Sequence, residues 1–218
     1  MESQLSFKVL ILGPKRVGKS SLVRKFVFDE FETAYEPTIG VDFSTKMISD
    51  LPNPLKSDNG PPTLRAKLKI WDTSGQERFE AVCRAYYHST EAAILCFDPT
   101  NEVSWKEMQS ILNKFNVINP DSKIYLCGTK FDILEDELKE PCVDPELVQE
   151  FANSLNCGAK VFMETSSKLG THIDELFRTL TEDCLSDLAE TSPEVLNTAI
   201  SVESQKRRSW CCRQFRLY

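Results

Sequence analysis

The sequence has no run of about 18 apolar residues, so no membrane-spanning helix is expected. Its first residues, Met1-Glu2-Ser3-Gln4, lack the basic and apolar regions of a secretory signal. Positive charge is not in excess. The formal net charge is −7, which argues against a general nucleic-acid binder. Histidine is scarce, with only His88 and His172, and no C-x-x-C pair occurs, so a zinc site is not expected. Eight cysteines are present, but Cys96 and Cys127 fall in apolar runs, and Cys157 and Cys184 at or near helix ends. That placement suits buried or idle thiols in a reducing compartment better than disulfides. What remains is ordinary: 41% hydrophobic and 27% charged residues over 218 positions, enough for one well-cored α/β domain and a tail.

The most specific stretch is Gly13 to Ser21, GPKRVGKSS, which fits G-x-x-x-x-G-K-[ST]. An apolar run, Phe7 to Leu12, precedes it, and an amphipathic run, Leu22 to Val27, follows. The context is strand, tight loop, helix, as the motif requires. Backbone N–H groups turned inward at the positive end of a helix make a pocket for a polyphosphate. Lys19 can reach the β and γ phosphates, and the Ser20 hydroxyl can ligate Mg²⁺.

Three later stretches narrow the ligand. Asp72-Thr73-Ser74-Gly75-Gln76 gives D-x-x-G followed by Gln, after the alternating run Leu64 to Ile70. Thr129-Lys130-Phe131-Asp132 follows the run Lys123 to Cys127. Glu164-Thr165-Ser166-Ser167-Lys168 follows Val161 to Met163. Each sits at the C-terminal end of an expected strand, where open α/β sheets bind ligands.

Four such loops on one rim, in this order, resemble the small GTPases, and the Rab family most closely. The Rab likeness lies in Tyr35-Glu36-Pro37-Thr38-Ile39-Gly40-Val41-Asp42-Phe43, in Lys67 to Thr73, in Gln76-Glu77-Arg78-Phe79 and in Tyr86-Tyr87. The resemblance covers roughly residues 5 to 185. It implies a P-loop small-GTPase domain over 1–190. Its α/β fold is a six-stranded, mostly parallel sheet with helices on both faces and one antiparallel edge hairpin. Residues 191–218 are expected to be a flexible tail.

The resemblance also implies roles. Gly13, Arg16, Val17, Gly18, Lys19, Ser20 and Ser21 belong to the phosphate loop. Tyr35, Thr38 and Gly75 close on the phosphates, and Phe31 and Lys130 sandwich the base. Thr129 and Asp132, with Ser166, Ser167 and Lys168, complete the base site. The Asp132 carboxylate suits the two donors on the guanine edge, whereas adenine would leave it unpaired, which is costly. Ser20 and Thr38 would ligate Mg²⁺, and Asp72 would hold a metal-bound water. Gln76 would orient the attacking water, as the equivalent glutamine does in Ras. GTP and GDP are then ligand and substrate. Effector, exchange and activating proteins would engage residues about 33–45 and 74–88. The expected location is cytoplasmic, peripheral on the cytosolic face of an intracellular membrane, in vesicle traffic. Cys211 and Cys212 are the lipidation sites, beside Lys206, Arg207, Arg208, Arg213 and Arg216.

The sequence departs from the family at four places. Thr129 stands where the family has Asn, and a threonine hydroxyl reaches less far than an amide. Lys15 and Arg16 occupy positions where small residues are common, and their bulk would obstruct an arginine finger or their charge would aid phosphate binding. Six residues follow Cys212, which leaves prenylation and palmitoylation both open, and a C-a-a-X end is absent. Leu51 to Pro62 holds four prolines and reads as an irregular insertion. A hydrolysis-poor, nucleotide-bound scaffold and a non-Rab signalling GTPase are the alternatives. A P-loop kinase or ATPase is opposed by Asp132.

Alternation places strands at about 6–12, 41–49, 64–71, 91–97, 123–128 and 160–164. Helical patterns fall at about 19–28, 77–87, 102–116, 144–156 and 171–189. Glu135-Asp136-Glu137 reads as a solvated acidic face. Asp144-Pro145-Glu146 reads as a helix start, with a cap, Pro at the first position and an acid in the first turn.

Overall fold

A computed structural model of the chain describes residues 5–55, 61–136, 140–155 and 162–202. Its first strand, β1 (Ser6–Leu12), shows how the sequence builds two layers of core. Side chains alternate along a strand, so Val9 and Ile11 join one buried cluster while Leu10 and Leu12 join the other. A strand covered on both faces must be apolar throughout, as this one nearly is.

Five more strands follow: β2 (Val41–Pro52), β3 (Thr63–Thr73), β4 (Ala92–Phe97), β5 (Lys123–Gly128) and β6 (Phe162–Glu164). They form one sheet in the order β2-β3-β1-β4-β5-β6. β2 pairs with β3 antiparallel, and every other pairing is parallel. One face is covered by α1 (Lys19–Phe28) and α6 (Ile173–Thr191), whose Phe26 and Phe177 rings stack at 3.7 Å. The other carries α2 (Glu80–Arg84), α3 (Glu102–Asn116) and α5 (Pro145–Ser154). In α3, Trp105, Met108, Leu112 and Phe115 recur at helical spacing and are buried. Asn101 caps it by accepting from the N–H groups of Val103 and Ser104.

The structure differs from the sequence expectations at four places. First, β2 continues past 49. After an irregularity between Ile48 and Leu51, Leu51 pairs with Leu64 and Pro52 with Thr63. Asn53 then binds Pro61 and Pro62 carbonyls through its side chain and its N–H. The insertion is therefore a lengthened hairpin in its described part, and residues 56–60 lie outside the described residues.

Second, the expected helix over 77–87 is a single turn of 3₁₀ helix at Glu77–Phe79, then α2, then i→i+3 hydrogen bonds through Tyr87. The apolar positions have helical spacing, but their partners pull in different directions. Tyr86 packs on Trp71 of β3, and Tyr87 packs on Phe115 of α3.

Third, a short helix, α4 (Phe131–Asp136), follows β5 directly. Fourth, residues 193–202 are helical (α7), where a flexible tail was expected from 191. Leu196 and Ala199 are buried in the same core as α1 and α6. Burying a leucine contributes about 1.5–3 kcal/mol, so this segment is held. Ser192-Pro193-Glu194 carries the same start signal as Asp144-Pro145-Glu146.

Five free thiols lie among the described residues, with Cys96, Cys127 and Cys184 buried as expected. Glu137, Cys157, residues 160–161, Lys206, Arg207, Arg208, Cys211, Cys212, Arg213 and Arg216 lie outside them.

Candidate active site

At the C-terminal ends of β1, β3, β5 and β6 lies a cavity of about 550 Å³. The turn out of β1 demands glycine at its start. Gly13 has φ 144°, and a β-carbon there would stand 2.3 Å from the Cys96 carbonyl oxygen. Helix α1 then begins at Lys19 with no side-chain cap and no acidic residue in its first turn. Its first N–H groups and its positive dipole end are thus left for an anion.

Lys19 is buried, and its ammonium donates to the Pro14 carbonyl at 2.8 Å. Burial lowers its pKa below the ordinary value, and the Asp72 charge partly restores it. Ser20 Oγ donates to Asp72 Oδ2 at 2.5 Å and lies 2.7 Å from Thr38 Oγ1. Burial pushes the Asp72 carboxyl up to about 6, against the Ser20 hydrogen bond and Lys19. Its other oxygen, Oδ1, is buried with no partner. Two hydroxyls and a dry carboxylate with an orphaned oxygen fit a small divalent cation, which prefers hard oxygen ligands.

Gly75 of the second loop lies against the phosphate loop. A β-carbon on it would stand 2.3 Å from the Pro14 carbonyl carbon. Gln76 follows in extended conformation, with its N–H on Ser74 Oγ at 3.3 Å, and lines the cavity. Ser74 N–H also donates to the Gly40 carbonyl at 2.8 Å. The Cys83 thiol sits within 3.7 Å of both the Gly40 and Ser74 carbonyl oxygens. These contacts join the two loops. Across them, Phe43, Trp71 and Tyr86 form an aromatic row with centroids 4.7 and 4.9 Å apart.

At the far end of the cavity, the Thr129 hydroxyl reaches Val17 O at 2.5 Å and Phe97 O at 2.9 Å. The threonine therefore does link β5 to the phosphate loop, which its short reach had put in question. Lys130 spans the same gap, with Nζ on Arg16 O at 2.8 Å and on Asp98 Oδ2 at 2.7 Å. Asp132 is buried and accepts from Ser166 Oγ at 2.6 Å, with Lys168 Nζ at 3.8 Å.

The expected site residues thus divide. Arg16, Gly18, Lys19, Ser20, Ser21 and Thr38 line the phosphate end, with Gly75 and Gln76. Thr129, Lys130, Asp132, Ser167 and Lys168 line the base end, and Phe31 and Tyr35 also line the cavity. Gly13, Val17, Asp72 and Ser166 stand behind this wall and hold it. Sequence reasoning missed Asp98, which anchors Lys130 from the end of β4. Arg24 and Glu32, which also line the cavity, were missed too.

Comparison with known proteins is consistent with this geometry. The family model described as Ras family matches residues 8–186. The GTP-binding protein YPT53 of Saccharomyces cerevisiae is 36% identical, over 82% of this chain and 76% of its own. The Ras-related protein Rab-24 of Dictyostelium discoideum is 31% identical over 97% of this chain and 99% of its own. Ras-related protein Rab-4 of the same organism is 33% identical over 90% of this chain and 89% of its own.

Proposed function

From the premise that the chain belongs to the Ras family and is a Rab-like small GTPase that binds and hydrolyses GTP, we propose how its residues divide the work. The observation that carries the reading is one cavity with an orphaned, buried carboxylate oxygen at one end and a buried, hydrogen-bonded carboxylate at the other.

Asp132 accepts from the two guanine donors, held in place by Ser166. Lys130 lies along the base, and Phe31 covers its other face. N–H groups of residues 16–20 wrap the phosphates, and Lys19 neutralises them. Ser20 and Thr38 would hold Mg²⁺, with Asp72 behind them through water, and the metal would supply neutralisation of phosphate charge. Gln76 positions the attacking water. The chain's share is alignment and charge stabilisation, so hydrolysis alone is slow and an activating protein speeds it.

Thr38 and Gly75 engage the terminal phosphate, so its loss frees the stretches immediately around them. Partners read that change on residues about 33–45 and 74–88, where Ile39, Phe43 and Val82 are exposed beside the aromatic row. We assign the switch to vesicle traffic on the cytosolic face of an intracellular membrane. No helix among the described residues is long and apolar enough to cross a membrane. Attachment would come from lipid on Cys211 or Cys212, aided by the basic residues beside them.

The test is nucleotide identity and turnover. The purified chain should carry GDP or GTP, prefer both over ATP in competition, and hydrolyse GTP with Mg²⁺. Equal competition by ATP would overturn the assignment of Asp132.

A further inference from the structure

Segment 31–38 forms one wall of the cavity yet has neither helix nor strand. Its side chains from Phe31 to Pro37 are exposed, so no buried anchor among them fixes its path. Something else must hold it over the opening.

Two arginines on the rigid side of the site make the contacts. Arg24 of α1 forms an ion pair with Glu32. The Arg16 guanidinium lies 5.1 Å from the centroid of the Tyr35 ring. All four residues line the cavity. Arg16 is itself fixed from below, since its carbonyl accepts from Lys130 Nζ at 2.8 Å. Its φ of 66° is left-handed, which a non-glycine adopts at a cost. The Arg16 side chain is exposed at the rim of the cavity and lies against Tyr35. A planar guanidinium can lie over an aromatic ring as an ammonium cannot.

We propose that Arg16 and Arg24 are positioning residues that hold segment 31–38 across the mouth of the cavity and so set the rate of nucleotide release. The proposal rests on the nucleotide reading above and adds a retention role for two side chains. Neither contact involves a phosphate. The Thr38 end of the segment responds to the metal and terminal phosphate, while the Glu32 and Tyr35 contacts persist with GDP. The segment then slows escape in both nucleotide states. An exchange protein would have to break these two contacts to open the site.

Release of a fluorescent GDP from the full chain tests this. Arg16→Asn keeps the backbone amide and tolerates the left-handed conformation. Arg16→Asn and Tyr35→Leu should each speed release about two- to fivefold, the range for an exposed cation–aromatic contact. The double variant should release no faster than the faster single. Arg24→Ala should speed release by up to about fivefold, the range for an exposed ion pair. Amide exchange at 31–38 with GDP bound should rise in all four variants and stay unchanged in β5. Unchanged release in the single variants would overturn the proposal, and so would a double variant whose effect is the product of the singles. Failure of the unaltered chain to bind GDP would instead overturn the nucleotide reading itself.

Discussion

At the base end of the cavity, Thr129, Asp132 and Ser166 are buried and bonded to one another or to strand ends. On the loops that close the site, residues 31–37 and Glu77 are exposed, and side-chain contacts hold Glu32, Tyr35 and Glu77 across the surface. The sheet thus builds recognition, and the loops build response. A buried polar group left unpaired costs far more than a lost surface contact. Changing the base end should therefore alter which ligand binds, and changing the loops should alter what the ligand does.

The largest effect expected from this contrast is at Asp132. Asp132→Ala should reduce the preference for GDP over ADP on the order of a hundredfold, by removing a charged acceptor from a buried edge. Competition binding measures it. If the loops set base choice instead, the preference would survive. The next is at Thr38. Thr38→Ala should leave GDP affinity nearly unchanged while lowering the GTP-analogue to GDP affinity ratio by about tenfold, one lost ligand to the metal corner. Proteolysis over 33–42 should then be the same with either nucleotide. A large loss of GDP binding would show that the two ends are not separable. The smallest is at Thr129. Thr129→Ala should speed nucleotide release about fivefold, the value of one hydrogen bond to the phosphate loop. Thr129→Asn should change it by less than about twofold, because the hydroxyl already makes that link. A strong slowing in the Asn variant would mean that the threonine contact is too weak to count.

The same division governs what could be read without coordinates. The base end and the phosphate loop are local: a strand, a turn and one or two side chains within a few residues. Apolar runs mark β1 and β5, and the motifs sit at their ends. Contacts between distant elements were not legible. Asp98 under Lys130 is one case, because nothing near Asp98 names its partner. The 77–87 segment is another. Its spacing is helical, and only the positions of Trp71 and Phe115 show why the helix is short. α7 carries a start signal of its own. Its Ser-Pro-Glu start was present, but the polar residues around Val195, Leu196, Ala199 and Ile200 masked a short apolar stripe.

That last helix has a consequence for distance. A second cavity of about 550 Å³, lined by Leu5, Glu91, Ser122 and Ala199, marks where α7 packs. The first three lie at the N-terminal ends of β1, β4 and β5, and the nucleotide cavity lies at the C-terminal ends of β1 and β5. An extended chain covers at most about 3.5 Å per residue. Residues 203–210 before Cys211 therefore reach no more than roughly 30 Å, whereas a free tail from 192 would reach roughly 65 Å. A lipid on Cys211 would then sit on a shorter leash than a tail free from 192 would give. A long leash lets a domain tumble and sample partners at many heights. A short one fixes the height at which a partner must stand to meet the loops.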